Sequence, residues 1–432
     1  MKETGGIVEA EEAKESLYPS LIPTEFEIRN GLITDIYFSR AEGVLSAENM
    51  DQRVVMEIYA TSFPENYNFA AACGVYDALR ILEGKPVNVR AVDEGEVFFT
   101  SSDIYEPIVQ IEGKYRDFVE YESVLLGSLK KTSGISTRAA RMRIAAGDKE
   151  IINFGLRSCH PSFSLVADYA SYIGGVDGLS NIASAKRMGL KAKGTMPHAL
   201  MQMYGDPVKA WEAFQRTYPE VPLSILGDTF YDPQTEAIMA LEKFGKNLYS
   251  VRIDSPSSRR GDFKKIAKEV RHALDIRGGE HVKIVLSGGL DEYDINNLRE
   301  VGDVFGIGTS IVEAPIIDYK QKIVWIEGER TLVEKVGGYG GKKHVYRKWT
   351  EGGPEDVVAV ERFKTPDLKE LKKLELAGYE PLLKSYIIDG KIVRDFEHPQ
   401  KLRERVLKTL ERLGGYRELE RKVESPVLKK II

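Results

Sequence analysis

Cysteine is scarce: 432 residues carry only Cys73 and Cys159. Two thiols cannot build a disulfide framework, and no CxxC zinc pattern is present. Six histidines are scattered without an HExxH or a pair at ligand spacing, so a protein-built transition-metal site is not expected. An excess of either charge is also missing. The formal net charge of −5 is modest for this length, whereas a dedicated nucleic-acid binder usually shows a basic domain or stripe. No apolar run approaches the ~18 residues needed to span a bilayer. The start, MKETGGIVEAEEAKE, has no apolar core and no signal-peptide form. These absences lead to the expectation of a soluble cytoplasmic protein with neither nucleic-acid nor membrane partners. A slightly acidic chain can still bind an anionic small molecule through a few well-placed Arg and Lys in a cleft.

What is present is a long chain with 42% apolar and 29% charged residues, enough for two or three lobes. Residues 1–17 read as an acidic tail. Residues 18–131 mix helices and strands as an N-terminal α+β domain. NYNFAAACGVYDALRILEG (66–84) has helical spacing and ends on Gly84. VNVRAVDEGEVFF (87–99) and PIVQIEG (107–113) read as strands. SGISTRAARMRIAAG (133–147) reads as a helix capped by Ser133 or Ser136 and stopped by Gly147. From 132 to 318 the rhythm changes. EIINFGLR (150–157), ASYIGGV (170–176), LKAKGT (190–195), PLSILGDT (222–229), LYSVRIDS (248–255), VKIVLSGG (282–289) and GDVFGIGTS (302–310) are short apolar runs that alternate with helical stretches. Such alternation indicates βαβ units and a parallel sheet. Polar residues at nearly every strand end favour an irregular or incomplete (β/α) barrel of about seven βα units over an open sheet. Residues 319–432 are expected to pack with the N-terminal domain and complete its α+β fold. KIVWIEGERTLVEKVG (322–337) and GKKHVYRKW (341–349) look like a strand meander, and HPQKLRERVLKTLERLGG (398–415) like an amphipathic helix.

Two consecutive glycine turns, LSGGLD (286–291) and FGIGTS (305–310), let the backbone approach an anion, and late barrel loops often hold phosphate. Glycine turns also serve simply as connectors. In VRIDSPS (251–257), Arg252 and Asp254 are two apart and share one face. They make a structural ion pair, or else Asp254 holds ribose hydroxyls or magnesium waters while Arg252 meets an anion. His198, in GTMPHAL, follows a presumed short strand, and Asp228 ends the next one. A carboxylate there would orient the imidazole and suit a nucleophilic histidine. Taken alone, these residues describe a phosphate-linked barrel enzyme.

In the same order, these segments resemble the type II phosphoribosyltransferases, above all their nicotinate branch. NFGLR (153–157), GGVDGLSN (174–181), GTMPH (194–198), DT (228–229), RIDS (252–255), SGGLD (287–291) and GIGTS (306–310) carry the resemblance, with TDIYF (34–38) and GKKHVYR (341–347) at its flanks. The resemblance implies a homodimer or higher homo-oligomer in which Phe154 and the partner chain's Tyr37 sandwich a pyridine ring. It implies that Arg157 and Ser180 meet the nicotinate carboxylate. An aspartate in place of Ser180, as in nicotinamide-specific relatives, would repel that carboxylate. Asp254 would contact ribose or its Mg2+; Ser287, Gly288, Gly289, Gly308 and Thr309 would hold the 5-phosphate. His198 would be phosphorylated by ATP with support from Asp228, and Arg252 would stand in the catalytic set. Arg138, Lys342 and Lys343 are candidates for neutralising pyrophosphate, against a plain reading as solvated charges.

The implied reaction joins nicotinate to phosphoribosyl pyrophosphate, with ATP as co-substrate. Two positions depart from the branch: Leu179 stands where threonine is usual, and FGLRSCHP lacks a second arginine. Other readings are quinolinate or nicotinamide phosphoribosyltransferase, and a catalytically silent pyridine-nucleotide binder. An unrelated barrel aldolase or isomerase would need a Schiff-base lysine or paired carboxylates, and neither stands out.

Overall fold

The computed structural model describes residues 21–100, 105–255, 261–328, 340–351, 353–361, 368–414 and 429–431. The acidic tail and part of the 322–337 run lie outside these residues. Two six-stranded sheets dominate. The first is antiparallel and runs Asp318–Ile326, Arg53–Ser62, Pro107–Lys114, Asn88–Ala91, Lys384–Ile388, Lys391–Ile392 from edge to edge. Chain ends far apart in sequence therefore share one sheet. Lys342–Thr350 and Gly353–Glu361 form a hairpin within a separate four-stranded sheet.

The second large sheet is parallel throughout, in the order Gly178–Leu179, Glu150–Asn153, Val304–Ile307, Lys283–Ser287, Leu248–Ile253, Leu223–Leu226. Its strands read as apolar runs because helices cover them: Ile151, Val251, Ile253, Ile284, Leu286, Phe305 and Ile307 are all buried. The sheet curls into a half-barrel whose first and last strands do not pair. It has six strands, not seven. LKAKGT forms no strand, and ASYIGGV is the end of the helix Pro161–Ile173 plus a turn, with the strand displaced to Gly178–Leu179. The open side of the half-barrel lies between Gly178–Leu179 and Leu223–Leu226.

Two expected helices differ. The 66–84 helix is only Val75–Leu82, because Ala70–Ala71 is a strand. The 133–147 helix begins much earlier and runs Glu122–Ala146, with Gly147 as its C-cap. Ser133 and Ser136 are buried in its interior and cap nothing. Serine and threonine there bind the neighbouring extended segment instead. Ala71 N donates to Thr137 Oγ1 at 3.0 Å, Cys73 N donates to Ser133 Oγ at 3.0 Å, and Thr132 Oγ1 donates to Cys73 O at 2.7 Å. Those hydroxyls supply Ala71 N and both backbone groups of Cys73 with the partners that a helix would otherwise have given them. The late helix Pro399–Arg412 has Pro399 at its first turn and buries Leu402, Val406 and Leu410.

Candidate active site

Strand ends of the half-barrel place the polar residues around a cavity of about 930 Å³. Phe154, Arg157, Ser180, Thr195, His198, Arg252 and Asp254 all line it. Phe154 stands just past Glu150–Asn153, its amide given to Ile307 O at 2.6 Å. Its ring lies against Gly306, where any Cβ would come within 2.4 Å of a ring carbon. The Arg252 guanidinium lies 4.8 Å from the centre of the same ring, a cation–π contact that keeps one wall of the pocket rigid.

Arg252 is tied on every side. Its Nε donates to Ser287 Oγ at 2.9 Å, Nη1 to Thr195 Oγ1 at 3.1 Å, and Nη2 lies 3.0 Å from Asp254 Oδ2. Asp254 also accepts from Ser287 Oγ at 2.7 Å on Oδ1. The sequence reading left a choice between an ion pair and ligand contacts, and the ion pair is present. Asp228, nearly buried, accepts from Asp254 N at 3.0 Å and Ser255 Oγ at 2.8 Å through Oδ2. Its Oδ1 is buried with no hydrogen-bond partner among the described residues.

His198 does not follow a strand. It opens the helix His198–Tyr204, after a segment, 190–197, without regular structure. The ring is nevertheless where an acidic neighbour can act on it. Nδ1 lies 3.0 Å from Thr229 Oγ1, and Nε2 lies 3.7 Å from Asp228 Oδ1 and 3.9 Å from Asp254 Oδ2. An imidazole between two carboxylates is held ready for a reaction that places positive charge on it.

The sequence reading missed the residues that hold this set. Glu236 is fully buried and accepts the amides of Thr229, Phe230 and Tyr231 at 3.3, 2.7 and 3.0 Å. It thereby fixes the turn carrying Asp228 and Thr229; burial pushes its carboxyl above the usual range, opposed by those amides. Behind the ring pocket, Asn153 accepts Gly155 N at 2.7 Å and donates to Asp168 at 2.9 Å. Asp168 also accepts from Ser184 at 2.6 Å. A buried Asp in mid-helix was the one available signal for that network.

The glycine turns stand on neighbouring strand ends. Gly288 and Gly289 have φ of +102° and +72°; a Cβ on Gly288 would meet the carbonyls of Ser255 and Asp254 at 3.0 and 3.1 Å, so only glycine lets these two loops touch. Gly308 precedes the short helix Thr309–Val312, and Thr309 Oγ1 meets Ser158 Oγ at 2.9 Å, joining the second turn to the NFGLRS loop. Arg138, on the long helix, bonds Glu292 at 3.0 Å just beyond the first turn. Tyr37 is exposed, does not line its own chain's cavity, and donates to Asp35 at 3.3 Å.

Lys342 and Lys343 correct the expectation. Neither lines the cavity. Lys343 is fully buried, its Nζ 2.7 Å from the equally buried Glu57, and Lys342 is paired with Glu112 at 2.6 Å. Lys343, its charge already matched in the core, is not available to a phosphate; Lys342 is half-buried and engaged by Glu112. Among the described residues no helix is long and apolar enough to cross a membrane.

Known proteins agree with this architecture. Residues 35–133 match the family described as quinolinate phosphoribosyl transferase, N-terminal domain, and residues 135–322 match its C-terminal domain. The chain belongs to the type II phosphoribosyltransferases. A crystal structure of nicotinate-nucleotide pyrophosphorylase from Pyrococcus furiosus is 43% identical with a TM-score of 0.85, covering 92% of this chain and 99% of that one. A nicotinate phosphoribosyltransferase of Mycobacterium tuberculosis is 29% identical over 360 residues, 74% of this chain and 76% of the relative. The crystal structure of human nicotinic acid phosphoribosyltransferase shares the fold, with 21% identity, a TM-score of 0.72 and coverage of 92% and 97%.

Proposed function

We propose that this chain is a nicotinate phosphoribosyltransferase, making nicotinate mononucleotide and pyrophosphate from nicotinate and phosphoribosyl pyrophosphate. The observation that carries the choice of pyridine is a count of uncommitted charge. Of the cations lining the cavity, Arg252 is paired with Asp254 and Lys193 with Glu150, while Arg157 has no carboxylate partner among the described residues. One free guanidinium suits one carboxylate. Ser180, on the same cavity, adds a hydroxyl donor where an acid would repel the substrate. Quinolinate, with two carboxylates, is the second reading, because the matched family descriptions carry its name.

In the reaction the pyridine nitrogen attacks C1 of the ribose, the C1–oxygen bond to pyrophosphate breaks, and pyrophosphate leaves with that electron pair. Positioning and neutralisation of the leaving group dominate such a step. Phe154 supports the ring, and Tyr37 of a second copy would cover its other face, which requires at least a dimer. Ser287, Gly288, Gly289, Gly308 and Thr309 would cradle the 5-phosphate. Magnesium fits as an ion arriving with the pyrophosphate and held through water. Both Asp254 oxygens are engaged by Ser287 and Arg252, whereas Asp228 Oδ1 makes no hydrogen bond among the described residues and has the His198 ring 3.7 Å away. ATP would phosphorylate His198, with Thr229 and Asp228 holding the ring.

The test is mononucleotide formation with nicotinate, nicotinamide and quinolinate offered separately, with magnesium, with and without ATP. Nicotinate turnover that rises with ATP, and loses that rise in His198→Ala, supports the reading. Turnover of quinolinate or the amide instead overturns the choice of pyridine; no turnover of any of the three points to a silent nucleotide binder.

A further inference from the structure

The Arg138–Glu292 bond beyond the first glycine turn belongs to a larger cluster. Glu292 opens the helix Glu292–Leu298, three residues past Gly289, and is fully buried. Its Oε1 receives Nη1 of Arg138 at 3.0 Å and Nε of Arg141 at 3.2 Å. Both arginines come from the long helix Glu122–Ala146. Arg141 is fully engaged: Nη1 donates to Asn66 O at 2.8 Å, Nη2 to Tyr293 Oη at 3.3 Å, and its guanidinium covers the Tyr67 ring at 4.4 Å.

Arg138 is engaged on one side only. Its Nη1 reaches Glu292 and also the Tyr67 hydroxyl at 3.3 Å, while Nη2 makes no hydrogen bond among the described residues. Asp291, next in line, gives its Oδ1 to the amides of Tyr293 and Asp294. Two guanidinium groups thus share the one buried Glu292 carboxylate, with Asp291 the other acid acting on Arg138, on the helix that follows Gly288 and Gly289. Fixing Nη1 from two directions fixes the plane of the guanidinium and hence the direction of Nη2. A donor already held in place gives up little freedom when an anion arrives.

We propose that Glu292 is a positioning residue that holds Arg138 as a donor to the pyrophosphate group of the phosphoribosyl donor. This rests on the phosphoribosyl-transfer reading above. Arg141 acts as the brace that keeps Glu292 in place, and the flat fork of Arg138 suits phosphate oxygens better than a lysine would.

The test is calorimetric titration of the full chain with magnesium pyrophosphate, beside KM values for both substrates. Glu292→Gln is expected to weaken pyrophosphate binding and raise the KM for phosphoribosyl pyrophosphate by about tenfold, with the KM for nicotinate within about twofold. In an Arg138→Ala background the same substitution should add nothing, because the donor it positions is gone. Tyr67→Phe removes only the other partner of Nη1 and should weaken pyrophosphate about threefold; it carries the test if Glu292→Gln does not fold. Unchanged pyrophosphate affinity in these variants, or a full tenfold loss that persists without Arg138, overturns the proposal. Nicotinate turnover by the wild type with no response to Glu292→Gln overturns this inference alone. A wild type that neither binds pyrophosphate nor makes mononucleotide overturns the functional reading and this inference with it.

Discussion

At the scale of single residues, Ser180 makes the sharpest claim. It lines the cavity with Arg157, and its amide is anchored to Asn153 O at 3.1 Å, so a longer acid there would be held facing the substrate. Ser180→Asp is expected to raise the KM for nicotinate by about 10–100-fold through loss of a hydrogen bond and like-charge repulsion, with far less effect on nicotinamide; equal loss for both pyridines would mean that Ser180 only shapes the pocket. Glu94 gives a prediction of a different kind. It is fully buried, and burial pushes its carboxyl up to about 7 against the amides of Gly74 and Tyr76, which lower it. The fold therefore favours its neutral form. Stability from this group is complete below about 4.5 and is lost as pH rises through about 7, roughly 3 kcal/mol over that window. Urea unfolding of wild type minus Glu94→Gln should show this slope; parallel profiles would remove Glu94 as its source. The legible residues were those whose meaning follows from position at a strand end: Arg252 and Asp254 two apart, Asp228 and Ser287 at the next ends. Lys343 was misread because a basic pair looks the same whether solvated or buried. Asn153 and Glu236 were invisible because their partners are amides and side chains that only the fold brings near; Asp168 offered only its place within an apolar helix.

At the scale of elements, the long helix Glu122–Ala146 shows why local signals misplaced a boundary. A serine ahead of an apolar run is a good N-cap in isolation. Here Ser133 instead receives Cys73 N and the Tyr319 hydroxyl, at 3.0 and 3.1 Å. The same contacts help explain why the alanine run before Val75 is not helical, although alanine favours helices: Ala71 N and Cys73 N are taken by side-chain hydroxyls and Ala72 N by Glu96 O at 2.8 Å. Ser133→Ala should leave the Cys73 amide buried and unsatisfied, costing about 1–3 kcal/mol. Chemical denaturation measures that cost, and a change under about 0.5 kcal/mol, the level of a neutral surface substitution, would show that the segment finds another partner. The barrel strands were easier to read because apolar runs with polar ends have few other uses. Two runs failed: 170–176 is apolar because it is the buried end of the helix Pro161–Ile173 and its turn, and 190–195 makes no strand although Lys193 N donates to Leu179 O at 2.9 Å.

At the scale of the whole molecule, the two ends of the chain are fastened by charge buried inside a sheet junction. Lys343, on Lys342–Thr350, meets Glu57, on Arg53–Ser62; neither is exposed. Glu57 also accepts Lys343 N and Gln110 Nε2 at 2.9 Å each, and the Lys343 ammonium lies 4.7 Å from the centre of the Tyr105 ring. Such a pair adds little over an apolar replacement of both members, yet removing one member strands the other. Lys343→Met is therefore expected to lose about 3–5 kcal/mol of stability, while Lys343→Met combined with Glu57→Gln should recover part of that loss because no charge remains buried alone. The KM for phosphoribosyl pyrophosphate should stay within about twofold in whichever variant folds. A large rise in that KM, with stability preserved, would return Lys343 to the phosphate site and mean that the junction opens during the reaction. Unchanged stability in the single variant would mean that water reaches Glu57 and that the two ends of the chain are held together by the sheet alone.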